Sequence, residues 1–259
     1  MLSLFERRAA PTSEIVIAHD GEIFRIALRR MATSRRYTLR VRAASRDALL
    51  TMPARGTLKA AREFAERNAA WIGVRLARLP QPIAFAPGAM TPIRGVEHRI
   101  AHRPLARGVV WLEASGDGPL LCVAGEAPHV PRRVADYLKR EARRDLEAAV
   151  ARHAGALALK PRRIALRDTT SRWGSCSSTG ALNFSWRLIL APTYVLDYLA
   201  AHEVAHVKHM NHSPLFWALT RRLFAETDKA EAWLKAHGAG LHRFGAASGA
   251  PPSAPLGGG

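Results

Sequence analysis

The chain contains little cysteine. Only Cys122 and Cys176 occur among its 259 residues, far apart and without a Cys-x-x-Cys pair. This usage argues against a disulfide framework and favours a reducing compartment. Hydrophobic residues make up 48% of the chain and charged residues 23%, as is typical of a globular protein with a substantial core.

Long hydrophobic runs are also missing. No stretch approaches the roughly 18 uncharged apolar residues that a transmembrane helix requires. The opening residues, from Met1 to Arg8, lack the charged region and apolar core of a signal peptide. We therefore expect a cytoplasmic protein with no membrane partner.

Acidic residues are scarce relative to basic ones. Asp and Glu number 21 against 39 Lys and Arg, which gives a formal net charge of +18. Two interpretations are open, a surface that binds nucleic acid non-specifically or the arginine-rich composition that a GC-rich genome produces.

The densest basic segment has no acidic residue among seven arginines between Arg29 and Arg46. It predicts either a solvated strand face or a phosphate-binding patch. Since Tyr37 is the only aromatic residue there, such a patch would bind the nucleic-acid backbone rather than stack on bases.

The most informative stretch is His202-Glu203-x-x-His206, which lies in an apolar run that predicts a buried helix. Because an α-helix turns about 100° per residue, the two imidazoles share one face and can bind one metal ion. Glu203 lies about one such step away, where its carboxylate can reach a water on that ion. Two imidazoles suit zinc and the carboxylate suits a general base, so the motif predicts a catalytic zinc site.

A third histidine, His212, follows six residues after His206. In a continuing helix it would point roughly 120° away from the other two, so it can reach the metal only if the helix ends first. Asn211 suits a left-handed conformation at such a break. Ser213-Pro214 is typical of an N-cap and first position of a new helix. Three histidines with one open position predict one catalytic Zn²⁺ ion.

These motifs form part of a wider pattern. Arg-Trp-Gly-Ser-Cys-Ser occupies 172–177, and Asn-His-Ser-Pro-Leu-Phe-Trp occupies 211–217. The combination resembles the YgjP-like zinc metallopeptidase family, which is allied to the WLM and SprT-like peptidases, from about residue 25 to about residue 240. The resemblance implies a protein or peptide substrate, Glu203 as the catalytic acid/base, and zinc on His202, His206 and His212.

Other classes of zinc peptidase differ from this chain. The histidine spacing equals that of metzincins, but His209 stands where they have glycine, and no methionine follows Met210 to supply their Met-turn. A gluzincin would take its third ligand from a later glutamate, and Glu226 and Glu231 are candidates. Nothing around either glutamate favours it over His212.

A hairpin precedes the metal motif. Predicted strands at 163–167 and 183–190 flank the turn-rich segment 172–180. The resemblance implies that this hairpin binds extended substrate by edge pairing. Arg172 is the candidate for stabilising an oxyanion or a substrate carboxylate, and Gly174 is a candidate substrate-binding residue.

Three residues of this segment have a structural alternative. Trp173 and Gly174 could serve only packing and a tight turn, respectively. Cys176 has no base paired with it in the sequence, so we interpret it as a buried structural thiol.

The remaining patterns predict an α+β protein. A mainly antiparallel N-terminal sheet with one helix, at 57–79, is expected over 14–125. Asp20-Gly21 predicts a hairpin turn in this region, and Thr57 is the expected N-cap of the helix. A zincin-like metallopeptidase domain with the active-site helix is expected over 131–244. The Gly-, Ala-, Ser- and Pro-rich segment 245–259 predicts a disordered tail.

A second functional hypothesis follows from the positive charge. It describes a DNA-associated module with structural zinc and no proteolysis, or a peptidase that acts on proteins held on DNA. Both versions predict DNA affinity that falls steeply with salt.

Overall fold

A computed structural model of the chain describes residues 14–42, 46–79, 81–170 and 172–245. These residues form a mixed α+β protein that divides into two compact units, a first unit up to Gln81 and a second unit from Pro82. Most of the tail predicted over 245–259 lies outside the described residues. No helix in the described ranges is long and apolar enough to cross a membrane.

The first unit contains one mixed sheet. Its strands are β1 (Glu14–His19), β2 (Glu22–Met31), β3 (Thr38–Arg42) and β4 (Asp47–Pro53). They lie in the order β1-β2-β4-β3. The outer pairs are antiparallel, but the central strands β2 and β4 are parallel because the connection after β2 crosses to the far edge of the sheet.

One face of this sheet is buried against two helices. Alternate apolar side chains, such as Ile26 and Leu50, are fully buried and belong to one cluster with Ala61 and Ile72. Those two residues lie on α1 (Leu58–Arg67) and α2 (Ala69–Ala77), respectively. The core of the first unit therefore lies between its sheet and its helix pair.

The helix predicted over 57–79 is two helices. Thr57 caps α1 as the sequence indicates, by accepting a hydrogen bond from the Ala60 N–H. Asn68 then leaves the helical conformation, with φ −109° and ψ 10°, and its side chain donates to the Phe64 carbonyl. This local bond competes with the helical ladder and separates α1 from α2.

Several arginines of the basic segment have partners inside the first unit. Arg30 donates to the carbonyls of Ala54 and Gly56, and Arg42 forms an ion pair with Asp47. Arg35, Arg36 and Arg40 are exposed. The phosphate-binding interpretation of this segment stays a prediction.

The second unit begins with a sheet of the same topology. Its strands are β5 (Met90–Ile93), β6 (Val96–Arg103), β7 (Val110–Glu113) and β8 (Leu120–Ala124). They lie in the order β5-β6-β8-β7, again with antiparallel outer pairs and a parallel central pair. The strand order and the direction of every pairing in the first sheet thus recur in the second.

The first hairpins of the two sheets also match. Asp20-Gly21 turns between β1 and β2 with φ of 48° and 78°, and Arg94-Gly95 turns between β5 and β6 with φ of 53° and 78°. Glycine at the second position suits these tight turns because it adopts positive φ without strain. The Asp-Gly turn predicted from the sequence is confirmed.

The remaining elements contain the metal motif. They are α3 (Val130–Gly155), β9 (Arg163–Arg167), β10 (Gly174–Cys176), β11 (Ala181–Ser185), α4 (Thr193–His206), α5 (Pro214–Leu223) and α6 (Thr227–Leu241). β11 pairs antiparallel with β10 and parallel with β9. The strand predicted over 183–190 ends at Ser185, and the 3-10 helix Trp186–Leu190 follows. All five of its residues are buried, so they do not alternate between two faces as a half-exposed strand does.

One hydrophobic core extends across the domain boundary predicted between residues 125 and 131. Leu121 and Val123 of β8 pack in a single cluster with Val134 and Leu138 of α3. The second sheet supplies the apolar face that α3 covers, and it therefore belongs to the same unit as α4. In the described residues the division between units falls at Gln81 instead.

Ion pairs join α3 to α4 around Asp197. This carboxylate accepts a hydrogen bond from Arg152 at 2.7 Å and one from His153 Nε2 at 2.6 Å. Burial alone would raise the pKa of Asp197, but His153 and then Arg152 outweigh it and lower that pKa. A carboxyl with a depressed folded-state pKa stabilises the fold above its unfolded pKa, and this contribution is lost as the pH falls through the folded value.

We expect the free energy of unfolding to fall between about pH 5 and about pH 3, and part of that fall should be absent from Asp197→Asn. Denaturant midpoints at a series of pH values measure it. Asp136→Asn is a matched control, since Asp136 is a half-exposed carboxylate on α3 whose basic partners lie 3.9 and 4.0 Å away. If the free energy of unfolding falls equally with pH in the native chain and in Asp197→Asn, the ion pairs of Asp197 do not stabilise the fold.

Candidate metal centre

α4 places the His-Glu-x-x-His motif at the end of a buried helix. His206 is its last residue, and the N–H groups of Lys208 and His209 bond back to the Ala205 carbonyl. The helix therefore ends earlier than a break at Asn211 requires. The left-handed conformation predicted for Asn211 is wrong, because that residue is not among those with positive φ.

The early helix end returns His212 to the other two histidines. Ring nitrogens of His202, His206 and His212 all lie within 4.8 Å of one another. The Nε2 atoms of His202 and His212 are 3.2 Å apart. Ser213 then caps α5 by accepting a hydrogen bond from the Phe216 N–H, so the predicted N-cap is confirmed.

The imidazoles lie in an apolar setting that keeps two of them neutral. Burial, followed by the charges of His206 and His212, lowers the pKa of His202 to about 3. Burial also lowers the pKa of His206, whose ring stacks on Phe216 with centroids 4.4 Å apart. Neutral imidazoles present the lone pairs that a metal requires. The donor set thus fits an ion with three protein ligands and an open position.

Glu203 is a buried carboxyl beside this cluster. It is 3% exposed, and its Oε2 atom has no hydrogen-bond partner among the described residues. Burial raises the pKa of Glu203 to about 8, although the charge of Arg172 acts in the opposite direction. A buried polar atom without a partner is costly, so this oxygen is available to bond a ligand or water.

Gly174 allows β10 to approach this carboxyl. A Cβ atom at Gly174 would clash with Glu203 Oε1 and would lie 2.8 Å from the Cδ and Cγ atoms of Glu203. Any larger residue would therefore displace the carboxylate. The expected substrate-binding residue is thus in direct contact with the candidate acid/base.

Arg172 lines a cavity of about 280 Å³ together with Gly174, His202 and Glu203. His206 and His212 belong to the adjoining histidine cluster. All six residues singled out from the sequence therefore lie around one centre.

Two further residues, Tyr198 and Glu231, support the cluster. The Tyr198 hydroxyl lies 3.1 Å from His202 Nδ1 and donates to Glu231 Oε1 at 2.9 Å. The spacing of Tyr198, one helical turn before His202, could have indicated this contact. The sequence indicates Glu231 only as an alternative ligand, because its contact with Tyr198 arises from the tertiary packing of α6. Glu226 instead pairs with Lys229.

Trp173 and Cys176 make packing contacts. Trp173 stacks on His242 with ring centroids 5.1 Å apart, and its ring lies against Gly238. The Cys176 thiol donates to the Ser177 carbonyl at 3.3 Å, and burial, with a smaller effect of Glu203, raises its pKa. Cys176 is half-buried rather than buried as expected. Its raised thiol pKa opposes nucleophilic reactivity, as a structural role implies.

The sequence matches the family model described as YgjP-like, metallopeptidase domain, over residues 35–237. The chain belongs to the YgjP-like metallopeptidase family. Membership in this family makes it a hydrolase that acts on protein with the help of a metal ion. No curated protein matches the chain. A crystal structure of the metallopeptidase zymogen of Pyrococcus abyssi abylysin resembles it with a TM-score of 0.33 and 18% identity, over 35% of this chain and 92% of that one.

Gly174→Ala should reduce peptidase activity at least about tenfold, because the added Cβ displaces the Glu203 carboxylate from its position. Hydrolysis of an unfolded test protein measures the activity, and circular dichroism verifies the fold. Gly240→Ala is a matched control in α6, where an added Cβ meets nothing within 4 Å. Full activity in Gly174→Ala would show that the close contact has no catalytic importance.

Proposed function

We propose that this metallopeptidase uses zinc, held by His202, His206 and His212, and that Glu203 is its catalytic acid/base. The observation that carries the proposal is the convergence of three imidazoles beside an unpartnered, buried carboxyl oxygen. Three nitrogen ligands with an open position are typical of catalytic rather than structural zinc.

The residues divide the chemistry between them. When bound, the zinc ion would supply Lewis acidity, which favours attack by water at neutral pH and polarises a carbonyl group. The Glu203 carboxylate takes the proton of the attacking water and passes it to the leaving amine. Burial raises the pKa of Glu203, which makes its carboxylate a stronger proton acceptor than an exposed one.

The β10 edge is the proposed site of substrate binding. β10 lies at the edge of its three-stranded sheet. Among the described residues, no strand pairs with its free side. An extended peptide paired there would lie along the cavity that contains Glu203, in the zincin-like manner that the sequence predicts. Arg172, at the same cavity, would stabilise negative charge that develops on the carbonyl oxygen.

A cytoplasmic location is part of the proposal. Cys122 and Cys176 are both free thiols, which suits a reducing compartment.

Glu203→Gln should lower turnover by about 10²- to 10⁴-fold and leave zinc bound, because it removes the proton acceptor but no ligand. His202→Ala should lose the metal. Hydrolysis of an unfolded protein and the zinc content of the purified variants measure the two effects. Near-normal turnover in Glu203→Gln would refute its catalytic role.

His212→Ala tests the third ligand with the same two measurements. We expect it to lose zinc as His202→Ala does. Zinc affinity equal to that of the native chain would transfer this role to another residue, first to Glu231 because of its contact with Tyr198.

Tyr198→Phe should weaken zinc binding about 10- to 100-fold, because His202 Nδ1 loses the hydroxyl that orients its ring. Competition with a chromophoric chelator measures the affinity, independently of catalysis. Tyr194→Phe is the matched control, since Tyr194 lies on the same helix and its ring contacts Lys229 instead. Equal affinities for the two variants would exclude a role for the Tyr198 hydroxyl.

A further inference from the structure

A second cavity, of about 200 Å³, adjoins the candidate metal centre. Arg172, Trp173 and Gly174 line both cavities. We call the second one the basic pocket; its other lining residues are Arg167, Thr169, Ser175, Asn183 and Phe184.

Among the described residues that line it, the basic pocket contains two guanidinium groups and no carboxylate. Arg167 makes one long hydrogen bond, to Asn183 at 3.4 Å. Within the described part of the chain, the Arg172 side chain forms no hydrogen bond or ion pair, and its charge acts on Glu203. The neighbouring Asp168 is held by Arg187 at 2.6 and 3.1 Å and does not line the pocket. Both arginines can therefore bind an external anion.

Strand geometry relates the pocket to the substrate. Gly174 and Cys176 of β10 face Glu203 on α4, so the intervening Ser175 points to the opposite face of the sheet, where it pairs with Asn183. A peptide paired with the β10 edge alternates with the same period of two. When one of its residues lies at Glu203, the side chains of the adjacent residues point to the face that contains the basic pocket.

We propose that the basic pocket binds a carboxylate of the substrate, so that the enzyme prefers peptides with Asp or Glu next to the residue at the scissile bond. This proposal rests on the peptidase function proposed above. Guanidinium groups favour carboxylates because their planar donors match the two oxygens. A free C-terminus near the cleaved bond has the same chemistry, and the experiment separates the two sources.

The test uses quenched fluorescent peptides and the zinc-loaded native chain. Amidated peptides carry Glu, Gln or Lys at one position, which is moved along the sequence, and one further Gln peptide has a free C-terminus. We expect kcat/KM to be about tenfold higher for Glu than for Gln at a position adjacent to the cleaved bond. Added salt should reduce this ratio, since the arginines are exposed.

Variants assign the preference to the pocket. Arg167→Gln should bring the Glu-to-Gln ratio toward one, and Arg167→Glu should shift the preference toward Lys. Arg163→Gln is the matched control, because Arg163 is exposed on the same strand but does not line the pocket. It should retain the native ratio. If Arg163→Gln lowers the Glu-to-Gln ratio as much as Arg167→Gln does, the preference does not come from the pocket.

The outcomes separate this proposal from the peptidase function. Equal cleavage of all peptides would overturn the carboxylate preference and leave the peptidase function standing. Preference only for the free C-terminus would support the pocket and identify that terminus as the source of the carboxylate. If no peptide is cleaved, the peptidase proposal fails for these substrates. Fluorescence anisotropy with the Glu203→Gln variant then tests peptide binding by the pocket. Tighter binding of Glu peptides than of Gln peptides would support the proposal, and equal binding would overturn it.

Discussion

The burial of α4 on nearly all sides is the constraint on which the site depends. Ten of its residues are buried, among them Glu203 and His206. Each polar group on such a helix needs a partner, because desolvation without a hydrogen bond is costly. Asp197 finds Arg152 and His153, and His202 finds Tyr198. In the part of the chain that the structure describes, Glu203 Oε2 has no partner.

This difference distinguishes structural from chemical roles along one helix. The satisfied groups hold α4 against α3 and α6, and they fix the positions of the imidazoles. The unsatisfied carboxyl lies where β10 comes so close that only glycine fits at Gly174. The packing that excludes water from α4 thus leaves Glu203 Oε2 with only the cavity as a source of a hydrogen-bond partner. This arrangement suits the acid/base role that we propose for Glu203. It fixes the position of the carboxyl group while the proton remains exchangeable.

Local signals predicted the parts of the structure that depend on few residues. The caps at Thr57 and Ser213, the Asp20-Gly21 turn and the shared face of His202 and His206 follow from geometry within one or two turns. The 3-10 helix after Ser185 did not, because its largely apolar segment fits a buried strand equally well. The parallel central strands and the contact of Glu231 with Tyr198 depend on distant segments, which one sequence does not reveal.

The two sheets of identical topology affect how the chain folds. Ile26 and Ile100 occupy equivalent buried positions, each five residues after its turn glycine, so either hairpin could be completed by the wrong partner strands during synthesis. Charge at the hairpin tips discriminates between them. Arg94 donates to Asp145 and Glu141 on α3, whereas the corresponding Asp20 would repel both carboxylates. The ion pairs of Arg94 therefore join α3 to its own sheet, and the turn at Asp20 could not replace them.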